Sequence, residues 1–303
     1  MQRCQGMGSI TARLLLGLLL SVRAPTVKQL GAAIRSRDPV QVERIAQRIG
    51  TAPLLLLARR GHGEERVWAL FSLGLIDNGT ALPELVALAE KSARDDLVLA
   101  HAALQAAKNI TDRLIPQSLE CDEIPLDIVG HSAGLLLALA SRPTLDTTLR
   151  TEALHAVANL QTLGPVDTQN LANLLQSDEP RVRSAAAEAL SGVASAEPAL
   201  CACVAEEEDY SVAVAAAVAL CRQVRARGSS RDALTTAANA PKLRARLRAM
   251  AQDKSVAVSD RLELLACVRH RATAEDMATL DHIASDSSAA ESLRRLARSL
   301  GSH

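Results

Sequence analysis

A segment that recurs along a chain constrains its fold more tightly than any single motif, because every copy must pack as its neighbour does. The clearest such segment is SDEPRVRSAAAEALSGV, Ser177 to Val193. Ser177 or Asp178 can cap a helix, and Pro180 suits its first turn. Val182, Ala185, Ala186, Ala189, Leu190 and Val193 then recur at spacings of three and four. The spacing predicts an amphipathic helix with a small-residue face. Thirty residues on, EEDYSVAVAAAVALCRQV repeats the pattern, with Val212 for Val182, Ala215 and Ala216 for the alanine pair, and Ala219-Leu220 for Ala189-Leu190.

Weaker copies fit the same template: GEERVWALFSLGLI from Gly63, ARDDLVLAHAALQAAKNI from Ala93, TLDTTLRTEALHAVANL from Thr144, DKSVAVSDRLELLACV from Asp253 and SSAAESLRRLARSL from Ser287. Shorter apolar helices separate them: ALPELVALAEKS from Ala81, TQNLANLLQS from Thr168 and EPALCACVAEE from Glu197. The repeating unit reads as long helix, turn, short helix.

Composition agrees with close helix packing. Hydrophobic residues are 48 % of the 303, yet aromatics are 1 %: Trp68, Phe71 and Tyr210. Alanine and leucine let helices approach at little entropic cost. The chain lacks the stacking platforms of single-strand nucleic-acid binders and the aromatics that pair across large mixed sheets. Its 34 basic and 34 acidic residues cancel, which argues against a general polyanion binder. Trp68 and Phe71, three apart on one predicted helix, are expected to fill a wider gap between repeats.

The pattern DEPRVRSAAAEAL, with its Asp, Pro, Val-Arg pair and Ala-Leu ending, resembles the HEAT-repeat family, including its bacterial HEAT-like members. The resemblance covers most of residues 25–303 and implies an all-α fold: an α-α superhelix, a HEAT-like solenoid of antiparallel helix pairs. It further implies a non-enzymatic scaffold or adaptor that binds a protein partner on a concave face lined by the shorter helices. The family often builds a polar ladder from the Arg of the Val-Arg pair. Here Arg183 fills that place, but Ala213 and Ala257 replace it in two other copies, so the ladder is expected to fail along much of the chain.

Two stretches break the period, near residues 113–143 and 227–252. The first contains Gly130-His131-Ser132-Ala133-Gly134, which fits the nucleophile elbow of α/β-hydrolases and offers an alternative reading as a serine hydrolase using Ser132. A general base and its acid should follow. His155, His270 and His282 do, but within helical patterns, and no run of buried strands follows to build a parallel sheet. The segment is therefore read as the second helix of a longer repeat, near Ser132 to Ser141.

Around the second break, Arg222, Arg225, Arg227, Arg231, Lys242, Arg244, Arg246 and Arg248 face only Asp232, directly after the acidic run Glu206 to Asp209. Arg222, Arg225, Arg227, Lys242, Arg244 and Arg248 are the candidate partner-binding residues. Basic segment 222–248 also carries a second alternative, a nucleic-acid-binding HEAT-like protein. A solvated polar face is the plainer reading of such a run, and nucleic acid is not the expected partner.

No catalytic, metal or cofactor site is expected. No His is followed directly by a Glu, no phosphate-binding loop is present, and Cys201-Ala202-Cys203 would point its two thiols about 200° apart on a helix. The cysteines, at 4, 121, 201, 203, 221 and 267, form no evident disulfide framework. Arg13 followed by LLLGLLLSV, Leu14 to Val22, makes residues 1–24 either a cleaved export signal or a first helix; the run is too short to span a bilayer. Export would place the protein in the periplasm or cell envelope, its absence in the cytoplasm. A monomer is expected.

Overall fold

The computed structural model describes residues 24–118, 126–160, 167–226, 241–268 and 273–301. Residues 1–23 of the candidate export signal, with Cys4, and Cys121, Arg227, Arg231, His270 and residues 119–125 and 227–240 of the two irregular stretches lie outside the described residues. Within them the chain forms sixteen α-helices and no strand. None of those helices is long and apolar enough to cross a membrane.

The chain divides into two compact units, residues 1–165 and 166–303. The first holds α1 (Ala24–Arg35), α2 (Pro39–Ile49), α3 (Thr51–Arg60), α4 (Glu64–Ile76), α5 (Leu82–Ser92), α6 (Leu97–Ser118), α7 (Leu126–Ala140) and α8 (Thr147–Leu160). The second holds α9 (Thr168–Leu174), α10 (Pro180–Ala189), α11 (Glu197–Glu206), α12 (Tyr210–Ala226), α13 (Pro241–Gln252), α14 (Val258–Val268), α15 (Ala274–Ser285) and α16 (Glu291–Gly301).

Each unit is an α-α stack of antiparallel helix pairs. All seven sequence copies fall in one layer, α4, α6 and α8 in the first unit and α10, α12, α14 and α16 in the second. Each of these helices packs on the next within its unit. The shorter helices form the other layer, where α5 meets α7, α11 meets α13, and α13 meets α15. An eighth long-layer helix, α2, begins at Asp38-Pro39-Val40 and packs on α4. The template did not find it, because its buried face has Ile45 where the clearest copies use alanine and lacks their alanine pair.

Register is conserved closely along this layer. Ala103, Leu104, Ala106, Ala107 and Ile110 of α6 are buried, and so are Ala153, Leu154, Ala156, Val157 and Leu160 of α8, fifty positions on. Val182, Ala186, Ala187, Ala189 and Leu190 of α10 recur as Val212, Ala216, Ala217, Ala219 and Leu220 of α12. The closest hairpins, however, join each short helix to the long helix after it: α3 to α4, α5 to α6, α11 to α12, α15 to α16. The packed unit is thus short-then-long. The joining turns are brief, and an Asp commonly starts the long helix: Asp38, Asp96, Asp146 and Asp209 each accept a backbone N–H of the first turn at 2.8–3.0 Å.

A second device holds these hairpins. Arg66, Arg150 and Arg261 occupy the same position, three and four residues before a buried Ala-Leu or Leu-Leu pair. Each Nε–H donates to a carbonyl near the end of the preceding short helix: Ala58 at 3.0 Å, Ala140 at 2.8 Å and Ala251 at 2.9 Å. Helix C-termini leave carbonyls without intrahelical donors, and a guanidinium also suits the negative end of the dipole.

Near the start of the first unit, α1 lies on α4 through Gly31, where an added Cβ would come within 2.4 Å of the Trp68 ring. The Arg35 guanidinium lies over that ring, 5.0 Å from its centre. Trp68 therefore fills a gap between helices as expected, but Phe71, about 60° round the helix, stays 43 % exposed. At Gly50 (φ +84°) a single residue both ends α2 and starts α3, a conformation that favours glycine.

Candidate partner-binding surface

The residues of the basic run are not gathered into one patch. Arg244 and Arg248 lie on α13 and face the start of α15, where both bind the carboxylate of Asp276, Arg248 at 2.9 Å. Arg248 also pairs with Glu275. Their side chains are only 12 % and 15 % exposed, and that of Asp276 is 1 % exposed. Burial works against the Asp276 charge. Hydrogen bonds from the Thr273 backbone N–H, Arg248, the Thr273 hydroxyl and Arg244 outweigh it and hold the carboxyl at about 2. Arg246 turns elsewhere, donating to the Glu207 carbonyl at 2.6 Å. Arg225 pairs with Glu263 of α14 at 2.8 Å, while Arg222 and Lys242 are exposed. These cations mainly clasp neighbouring helices.

The hydrolase-like motif lies wholly inside α7. An elbow needs a strained turn between strand and helix, but no strand precedes it among the described residues, and a Cβ at Gly130 or Gly134 would meet nothing within 4 Å. Ser132 is fully buried, and its hydroxyl has no hydrogen-bond partner among the described residues. The helical run does not favour the α/β-hydrolase alternative: it is one helix, starting six residues before the expected Ser132. Its glycines lie within the helix and form no turn.

Polar contacts do link successive turns. In the second unit Arg183 of α10 grips Glu207 with two bonds, Nε–Oε2 at 2.9 Å and Nη2–Oε1 at 3.0 Å. The Tyr210 hydroxyl donates to Asp253 at 2.6 Å, and Lys254 pairs with Asp286 at 3.2 Å. In the first unit Arg66 lies 3.5 Å from Asp96, and His101 of α6 meets Glu152 of α8 at 2.9 Å. The ladder thus continues past Ala213 and Ala257, carried by other residue types than the arginine that sequence comparison sought.

Between these turns lie grooves. One, of about 700 Å³, runs beside the turn from α9 to α10 and the turn from α11 to α12. Leu175, Ala202 and Cys203 supply apolar floor, and Asp178, Glu206, Glu207, Glu208 and Asp209 supply carboxylates against Arg183. Burial lifts the Cys203 thiol to about 11, with Glu207 adding to the effect. In the first unit a groove of about 530 Å³ occupies the matching place beside α3 and α5, with Arg59, Arg60, Arg66 and Lys91 against Glu84, Asp95 and Asp96.

Exposed apolar side chains follow the same edge. Val40, Leu97, Val98, Tyr210 and Val258 all sit in the first turn of a long helix, at 42–69 % exposure. Cys201, Cys203, Cys221 and Cys267 are buried free thiols. No cluster of His, Cys, Asp and Glu among the described residues could hold a metal ion. Compared with family models and with curated proteins, the chain matches none of either.

Proposed function

We propose that this protein is a non-enzymatic, HEAT-like scaffold that binds a protein partner along the turn edge of its helix stack and over the adjoining short helices. The observation that carries this reading is the recurrence of exposed apolar side chains in the first turn of the long helices, Val40 and Leu97-Val98 in the first unit and Tyr210 and Val258 in the second. Single exposed apolar residues are ordinary on any surface, but recurrence in the first turn of the long helices within one unit suits a common contact. Hairpins that present the same edge repeatedly suit an extended partner surface.

The experiment is native mass spectrometry of the affinity-purified chain beside two edge variants, Leu97→Asp/Val98→Asp and Tyr210→Asp/Val258→Asp. A stoichiometric protein partner should accompany the parent chain and be lost from at least one variant while its far-ultraviolet circular dichroism is unchanged. A partner retained by both variants, or none bound by the parent, would refute the reading. The nucleic-acid alternative gains little support, because Arg225, Arg244 and Arg248 are engaged with Glu263, Glu275 and Asp276.

A further inference from the structure

Resting on the scaffold reading, we infer that the groove between the α9–α10 and α11–α12 turns receives a basic segment of the partner, with a lysine or arginine side chain laid along its floor. The groove falls within the roughly 300–1,000 Å³ of clefts that hold ligands, at about 700 Å³. Its floor and rim match the two parts of such a side chain. Leu175, Ala202 and Cys203 offer apolar contact to the methylene stem, and the carboxylates offer counter-charge to the head. Cys203 is buried to nine-tenths, and its free thiol lines the groove.

Charge selects the occupant. Glu207 is already engaged by Arg183, whereas Glu206 and Glu208 are exposed and carry no ion pair among the described residues. Arg183 and, from just outside the lining, Arg246 offset part of this charge, but five carboxylates line the groove against the single cation Arg183, so an acidic excess remains. The carboxylates do not converge as a metal site would require. An extended organic cation therefore fits them better than a bare ion. The matching groove of the first unit sets Arg59, Arg60, Arg66 and Lys91 against Glu84, Asp95 and Asp96, with Arg59 on Glu84 and Arg66 near Asp96, so it has no acidic excess and the preference belongs to the second unit's groove.

The test uses the full chain and a fluorescein-labelled peptide of alternating arginine and alanine, read by anisotropy, beside a glutamate–alanine peptide of equal length. The arginine peptide should bind and the glutamate peptide should not. Glu206→Gln/Glu208→Gln should weaken binding by about tenfold, the effect of losing roughly 1.4 kcal/mol, while Asp95→Asn in the first unit leaves it unchanged. Bound peptide should also slow alkylation of Cys203, followed by peptide mapping. Equal binding by the double variant, equal loss in Asp95→Asn, or unprotected Cys203 would overturn the inference. The scaffold reading is judged separately, by the Leu97/Val98 and Tyr210/Val258 variants.

Discussion

Asp276 shows how a single buried charge is kept. Its carboxylate is almost fully enclosed, yet it is ringed by Thr273, Arg244 and Arg248. With a folded value of about 2 against roughly 4 for an unfolded Asp, its stabilising contribution is complete above pH ~4 and is lost as pH falls towards 2. Urea unfolding across this window should show the parent chain losing stability that Asp276→Asn lacks throughout. At neutral pH the substitution should cost about 3 kcal/mol, as expected when one partner of a buried pair is removed. Parallel curves for the two proteins would show that the group does not carry this dependence. In sequence Arg244 and Arg248 read as a basic run, because their counter-charge lies 28 to 32 residues away and becomes adjacent only when α13 packs on α15.

At the scale of elements, the arginine clasp explains why short and long helices pair as they do. Arg150 is 4 % exposed, and its Nε–H satisfies the Ala140 carbonyl. Arg150→Met should leave that carbonyl without its donor and cost about 2 kcal/mol. Arg142→Met, which removes only a half-exposed pair with Glu90, should cost less than about 1 kcal/mol. Denaturation midpoints of the two variants decide this, and equal losses would mean that the clasp adds nothing. The clasp was hard to read because alignment on the Asp-x-Ser-Val-Ala stretch set Ala257 opposite Arg183. In the fold that stretch is a turn, α14 begins at Val258, and Arg261 takes the equivalent place. A one-turn extension of the loop shifts the helical register while leaving the apolar periodicity intact.

For the whole molecule, stacking means that each helix meets mainly its neighbours, so stability should be local along a unit. Leu293 is fully buried in α16. Leu293→Ala should cost about 3 kcal/mol and reduce hydrogen-exchange protection in α14, α15 and α16 while sparing α10. Equal loss of protection in α10 would indicate one cooperative block.

The sequence by itself determined that the chain is helical, where seven of the eight long-layer helices lie and, for most of them, which face is buried. Those properties depend on spacings of three and four, on caps and on turn residues, all within a few positions of one another. Tertiary structure alone decided the rest. It placed Ser132 inside a helix, paired each short helix with the long helix after it, turned the basic run into clasps and left two equivalent grooves with different charge. Such outcomes depend on which side chains face each other across packed helices, and contacts between residues 24 to 51 positions apart leave no local periodicity to read.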